Sequence, residues 1–274
     1  MSQPSFNVSI VIVSYNTRTD LERCLSSLHE HPPRATHEII VVDNRSADGS
    51  EQAARQWPRV RVIQSGTNRG FAAGTNLGIR ASVGENLLLL NSDTIVPSGA
   101  IDRLLGALRD RPEAAVVGPR LIDERGRVEL SFGRMITPLT ELIQRRLVRG
   151  LEAGEPWAVD RVTVMTANER QTDWVSGACL LVRRGDAEAV GLLDERYFMY
   201  AEDVDFCAAI RARGRRVVFT PCAEIVHTRG RSAATVPLAT RAAYRRSHVA
   251  FYQKHHAWLV PFLRLYLRVR GELP

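Results

Sequence analysis

The first patterned stretch, Val8–Asn16 (VSIVIVSYN), packs β-branched residues together without alternation and ends in Ser14, Tyr15 and Asn16. Such a run predicts a strand buried on both faces. In TDLERCLSSLHEH, which follows, Leu21, Cys24, Leu25 and Leu28 recur at helical spacing, with Thr19 or Asp20 placed to cap the helix. A second run, Glu38–Asn44 (EIIVVDN), again stops at Asp43 and Asn44. A helix from about Gly49 to Trp57, a strand RVRVIQ and a helix from about Gly70 to Ala81 lead to ENLLLLNSDTIV, whose leucines run into Asn91, Ser92 and Asp93. Alternating strands and helices predict an α/β fold with a mostly parallel central sheet and helices on both faces.

One polar strand end is an ordinary turn, because Asn, Ser and Asp favour loop starts. Three at the same sheet edge predict a ligand crevice beyond the carboxyl ends of the strands. After Pro97 a helix near Ser98–Asp110 and a strand AAVVGP continue the alternation. The stretch Leu121–Thr172 carries little pattern beyond a helix around Leu139–Val148 and a mobile segment near Gly150–Pro156. Pattern returns in WVSGACLLVRR, LDERYFMYAEDVDFCAAIRARG and RVVFTPCAEIVHTRG, and from Pro237 the composition predicts a helical tail.

With 274 residues, 45% hydrophobic and 24% charged, the chain has the makeup of a globular domain with a sizeable core. Its net charge of +7 changes the picture by predicting an anionic partner: a phosphate-bearing substrate, a membrane surface or nucleic acid. No nucleic-acid recognition motif accompanies the charge. Cys24, Cys179, Cys207 and Cys222 show no CxxC spacing and read as small buried residues of a reducing cytoplasm. The absence of a basic-then-apolar leader and of a bilayer-length apolar run agrees with a cytoplasmic location.

Three motifs carry chemistry. In NRGFAAGTNLGI, Gly70, Ala72, Ala73 and Gly74 open a helix with small residues, either for close approach of a ligand or for tight packing on the sheet. The spacing fits neither a dinucleotide fingerprint nor a P-loop. In YAEDVDFCAAIRARG, Glu202, Asp203 and Asp205 crowd one first turn. Carboxylates there gain ~0.3–1 kcal/mol from the helix dipole, yet three so close repel one another, which points to a general base. In AEIVHTRGRS, His227 ends a β-rich run ahead of Arg229 and Arg231, as an ordinary satisfied histidine or as part of a metal or diphosphate site.

Taken together, VSIVIVSYN, EIIVVDNRSADGS, NRGFAAGTNLGI, LLLLNSDT, WVSGACLLVRR and LDERYFMYAEDVDFC resemble, in order, a family-2 glycosyltransferase of the GT-A (Rossmann-like) fold. The last two are especially similar to the bacterial rhamnosyltransferase-like branch, which uses dTDP-rhamnose to build cell-wall and surface polysaccharides. The resemblance implies a catalytic domain over residues 1–235, with a nucleotide-sugar half to about 97 and an acceptor half from about 98, and a helical extension over 236–274. It implies that Tyr15, Asn16, Asp43, Asn44, Asn68, Gly70, Asn91 and Ser92 bind the donor nucleotide. Asp93 matches the final acid of the family's Asp-x-Asp motif and His227 a downstream histidine, which together would hold Mg²⁺ or Mn²⁺. Asn91 replaces the motif's first acid, removing one hard anionic ligand. Asp203 matches the catalytic base, and Trp174, Gly177, Ala178 and Glu202 fall where the acceptor is expected.

The implied reaction is inverting sugar transfer from dTDP-rhamnose or a UDP-sugar to a glycan or polyprenyl-linked acceptor. A sugar-nucleotide-binding protein of similar fold would lack the base. A nucleotidyltransferase would need a glycine-and-arginine loop where VSYNTRTD stands. The tail segment HAWLVPFLRLYLRVRG is basic and amphipathic, and suits either peripheral contact with an anionic inner leaflet or packing on a protein surface.

Overall fold

The computed structural model describes residues 6–228 and 237–271. The first half alternates as the pattern predicts: β1 (Val8–Ser14), α1 (Arg18–Glu30), β2 (His37–Asp43), α2 (Ser50–Arg55), β3 (Val60–Gln64), α3 (Phe71–Ala81) and β4 (Asn86–Asn91). The second half comprises β5 (Thr94–Ile95), α4 (Ala100–Arg109), β6 (Ala114–Ile122), β7 (Phe132–Gly133), α5 (Pro138–Glu152), α6 (Pro156–Thr166), β8 (Arg170–Thr172), β9 (Trp174–Val175), β10 (Cys179–Arg183), α7 (Arg184–Ala189), α8 (Glu202–Ala212) and β11 (Arg216–His227). After the undescribed segment come α9 (Pro237–His255), a 3-10 turn at Ala257–Leu259 and α10 (Val260–Val269).

The nine-stranded sheet runs β3-β2-β1-β4-β10-β6-β11-β5, with β8 also on β11. β3, β2, β1 and β4 are parallel, whereas β10 is antiparallel to both β4 and β6. The run WVSGACLLVRR, continuous in sequence, therefore divides between sheets. β9 pairs with β7 in a separate small sheet, and the turn Ser176–Ala178 carries the chain into β10.

Leu21, Cys24, Leu25 and Leu28 of α1 and Leu104 and Leu108 of α4 cover one face of the sheet. Phe206 and Ile210 of α8, with Phe132, Trp174 and Phe219, cover the other. On that second face α3 lies so close to β1 that a Cβ at Gly78 would sit 2.4 Å from Val11. The later glycines of the small-residue motif thus serve helix–sheet packing.

The predicted C-terminal helix is present, and Phe251 and Tyr252 of α9 belong to the second core. The boundary expected at 235/236 lies outside the described residues, as do Arg229 and Arg231. The segment Gly150–Pro156 forms a tight helix–helix turn between α5 and α6. It is closed by Glu155 N–H to the Gly150 carbonyl at 2.9 Å, and a Cβ at Gly150 would meet Trp157 at 2.6 Å. Pro156 at the first turn of α6 fits this start, since its missing N–H costs a helix N-terminus nothing.

Candidate active site

β1, β2 and β4 end side by side at one edge of the sheet. Asn44 N–H bonds the Ser14 carbonyl at 2.8 Å and Ser65 N–H bonds the Asp43 carbonyl at 3.0 Å, locking the β2 exit between its neighbours. Asp43 is buried; its Oδ2 accepts Ser46 N–H at 3.0 Å, while its Oδ1 has no hydrogen-bond partner. An unmatched buried carboxylate oxygen is costly and calls for an N–H or O–H donor. Asn16, at φ +53°, donates its N–H to Ser46 Oγ (3.0 Å) and accepts Ala47 N–H (2.7 Å), so it joins the β1 and β2 exits. Tyr15 beside it is 40% exposed and leaves an aromatic surface next to Asp43's strand end.

Asn44 Nδ2 donates to the Gly70 carbonyl at 2.9 Å, and Asn68 Oδ1 accepts Gly70 N–H at 3.1 Å. Gly70 sits at φ +85°, and a Cβ there would lie 2.2 Å from the Phe198 carbonyl, which also accepts Phe71 N–H at 2.7 Å. Only glycine fits both constraints. The Asn68–Gly70 loop is thereby pinned to the segment that leads into α8. Ser92 joins a buried hydroxyl chain through Thr17 (3.0 Å) to Ser14 (2.9 Å), and Asn91 N–H bonds the Ala178 carbonyl at 3.0 Å.

Asp93 reaches His227 through strand pairing. β5 follows Asp93 at once and pairs antiparallel with the end of β11, placing His227 opposite Thr94. The Asp93 carbonyl accepts the N–H (2.8 Å) and Oγ1–H (3.0 Å) of Thr228, and His227 Nε2 lies 3.4 Å from Asp93 Oδ1. His227 Nδ1 lies 3.1 Å from Oε2 of the buried Glu129, a residue sequence reasoning missed. Burial alone would lower the imidazole pKa, but the two carboxylates outweigh it and push the ring up to about 9. Among the described residues no three His, Cys, Asp or Glu side chains converge as a complete metal cage.

The three acids of the α8 first turn part company. Asp203 Oδ2 accepts Gly177 N–H at 2.9 Å, from the turn between β9 and β10, and its Oδ1 accepts Val204 N–H at 2.8 Å. Burial raises the Asp203 pKa, and these N–H donors only partly oppose it. Glu202, expected to meet the acceptor, is buried with Oε2 unpartnered; burial and the neighbouring Asp203 charge push its carboxyl up to about 8. Asp205 is a structural anchor, accepting from Lys254 Nζ (2.8 Å) and His255 Nε2 (2.6 Å) of α9.

Ahead of this turn Tyr200 and Ala201 both hold positive φ (70° and 68°), local strain of a kind that concentrates at functional sites. Trp174, also expected to meet the acceptor, is buried. Its Nε1–H bonds the Arg134 carbonyl at 2.8 Å, so its indole supports the wall behind Gly177. Ala178 is buried as well, which leaves Gly177 as the member of that trio whose N–H binds Asp203.

The sequence pattern of Glycosyl transferase family 2 matches residues 9–172. The N-acetylglucosaminyl-diphospho-decaprenol L-rhamnosyltransferase of Mycobacterium tuberculosis is 33% identical over 289 aligned residues, covering 96% of this chain and 93% of the relative. Rhamnosyltransferase WbbL of Escherichia coli is 23% identical, covering 80% and 83%. Among solved structures, the mannosyltransferase of Pyrobaculum calidifontis in complex with GDP-Man and Mn²⁺ superposes with a TM-score of 0.61 at 20% identity, covering 92% of this chain and 64% of that one.

Proposed function

Because the chain belongs to glycosyltransferase family 2, in its rhamnosyltransferase branch, we propose that it moves L-rhamnose from dTDP-rhamnose to a hydroxyl of a polyprenyl diphosphate-linked glycan, with inversion. The observation that carries the mechanism is Asp203, fixed by Gly177 N–H and raised in pKa, at a turn whose next residue, Ala178, holds Asn91 N–H at the β4 exit two residues before Asp93. Asp203 takes the proton of the acceptor hydroxyl as its oxygen bonds the sugar's anomeric carbon, while the bond from that carbon to the nucleotide diphosphate breaks. A base with a raised pKa is better matched to this task near neutral pH than an ordinary aspartate.

The unpartnered Oδ1 of buried Asp43 suits the imide N–H of thymine or uracil, with Tyr15 as a stacking face. Thymine is favoured over uracil by the similarity to rhamnosyltransferases. Asp93 and His227 would hold Mg²⁺ or Mn²⁺, which when bound neutralises the departing diphosphate. The fit rests on the donors themselves. A carboxylate and an imidazole stand 3.4 Å apart with a second buried carboxylate behind the ring, a net-negative locus that favours a cation. Two protein ligands leave room for diphosphate oxygens.

Beside His227 and Thr228 opens a cavity of about 610 Å³, walled by Val128, Leu130, Leu151, Val159 and Val162. Its apolar wall suits the proximal lipid of the acceptor, and the named acceptor of the mycobacterial relative supports that assignment. The proposed enzyme works from the cytoplasmic face as a peripheral protein; no described helix is long and apolar enough to cross a membrane.

A thermal-shift screen of dTDP-rhamnose, UDP-sugars and GDP-mannose with Mn²⁺ tests the donor, because a ligand that binds the native state stabilises it by mass action. The expected result is the largest shift with dTDP-rhamnose, abolished by Asp93→Ala and less affected by Asn91→Ala. A larger shift with a UDP-sugar would reassign the donor, and indifference to Asp93→Ala would remove the metal from this site.

A further inference from the structure

The imidazole of His227 is held from both sides. Nε2 faces Asp93 Oδ1 at 3.4 Å and Nδ1 faces Glu129 Oε2 at 3.1 Å, with all three residues buried or nearly so. Glu129 is itself firmly placed. Its N–H bonds the Leu121 carbonyl at 2.9 Å, and the next residue, Leu130, is locked into a small core with Leu147, Ala158 and Val162. α5 and α6, from the weakly patterned part of the sequence, thus fix a carboxylate against the far side of the ring.

The consequence is chemical. An imidazole can offer a lone pair from only one nitrogen when the other carries hydrogen, and a carboxylate at Nδ1 keeps the hydrogen there. With Nδ1–H donated to Glu129, Nε2, which faces Asp93, is the nitrogen whose hydrogen a cation would displace to ligate the ring. We infer that Glu129 is a positioning residue that fixes the tautomer and orientation of His227 for the divalent cation shared with Asp93. The inference rests on the reading of Asp93 and His227 as the metal ligands. Loss of such an outer partner typically weakens metal affinity by about 10–100-fold.

The test is Mn²⁺ affinity of the full chain in the presence of dTDP, measured by calorimetry and by the electron paramagnetic resonance signal of free Mn²⁺. Glu129→Ala should weaken Mn²⁺ by about 10-fold or more. Glu129→Gln, whose amide oxygen still accepts Nδ1–H, should stay within about threefold, and dTDP affinity in EDTA should be unchanged in both. Should the alanine variant fail to fold, Glu129→Asp replaces it; its acceptor is drawn back by one methylene and should weaken Mn²⁺ while glutamine does not. An alanine variant that binds Mn²⁺ like wild type overturns the inference. Equal losses in the glutamine and alanine variants also overturn it, because they make Glu129 a direct charged ligand. His227→Ala separates the two readings. If it leaves Mn²⁺ affinity untouched, the metal assignment itself falls; if it weakens Mn²⁺ while Glu129→Ala does not, only the role of Glu129 falls.

Discussion

Asp203 Oδ2 accepts the backbone N–H of Gly177 at 2.9 Å, joining the first turn of α8 to the turn between β9 and β10. A Cβ at position 177 would lie 3.4 Å from Asp203 Cβ, so the two backbones meet at ordinary van der Waals distance. The bond aims one carboxylate oxygen without neutralising it. It also selects among the acids of the turn, because Asp205 is committed to Lys254 and His255, and Glu202 is buried.

Asp203→Asn keeps the shape and the acceptor oxygen for Gly177 but removes the basic group. Transfer should fall by at least ~10²-fold, the usual scale for loss of a general base. Donor binding, followed by thermal shift with Mn²⁺, should stay near wild type. Near-normal turnover in this variant would take the base role away from Asp203.

Glu202 makes stability depend on pH with a definite sign. Its carboxyl is pushed from 4.5 in a solvated chain to about 8 in the fold, first by burial and then by the Asp203 charge. The native state therefore holds a proton that the unfolded chain releases. This contribution is complete below about pH 4.5 and is lost as pH rises through about 8. Glu202→Gln, permanently neutral, should flatten that decline, so that its melting temperature relative to wild type is higher at pH 8 than at pH 5. A constant difference across this range would show that Glu202 is ionised in the native protein.

Asp205 should matter for stability more than for chemistry. Its side chain is 3% exposed and accepts from Lys254 and His255, and the hydroxyl of Tyr197 lies 3.3 Å away. Charge-assisted bonds of this kind contribute about 1.5–3 kcal/mol each. Asp205→Ala should lower the denaturation midpoint by at least one such increment and speed amide exchange in the last turns of α9. A variant as stable as wild type, with α9 equally protected, would mean that the apolar contacts of Phe251 and Tyr252 suffice to dock the helix.

The sheet's first half was legible because buried parallel strands leave uninterrupted β-branched runs, and their polar ends do lie side by side at one sheet edge. The meeting of Asp93 with His227 came only from the family resemblance, since it depends on the antiparallel pairing of β5 with β11, a register that no local pattern encodes. Glu129 was invisible for the same reason, standing 98 residues from its histidine in a stretch without clear periodicity. Trp174, which the resemblance placed at the acceptor, is instead committed to the core and to the Arg134 carbonyl, a burial that only the packing reveals. Acidic crowding in the α8 first turn drew attention to three carboxylates, but only packing separates Asp203, bonded to Gly177 N–H, from the anchor Asp205 and the buried Glu202.

The tail divides its apolar residues in a way that yields a sharper membrane test than truncation. Leu267 is buried, and Leu259 and Leu263 are half-buried against the second core. Trp258, Phe262, Leu265 and Val269 are 62–80% exposed, with Arg264, Arg268 and Arg270 also exposed. On α5, Leu139, Leu142 and Ile143 are 59–67% exposed, and the Ile136 carbonyl just ahead of that helix accepts from His256 at 2.7 Å, which brings the start of α5 close to the tail. Each basic residue near an anionic surface adds ~1 kcal/mol, and each large apolar side chain removed from water adds about 1.5–3 kcal/mol. The chain should therefore co-sediment with vesicles containing phosphatidylglycerol, less so as salt rises, and not with purely zwitterionic vesicles. Deleting everything after Pro237 would also remove Phe251 and Tyr252 from the core, so loss of binding in that truncation would be ambiguous. Trp258→Asp with Phe262→Asp touches only exposed positions; it should keep the fold and weaken partitioning by about 10-fold or more. Intact protein that stays in the supernatant at low salt, or a double variant that sediments like wild type, would make this apolar face a protein-contact surface instead, and a change in the variant's oligomeric state would identify the contact as a second copy of the chain.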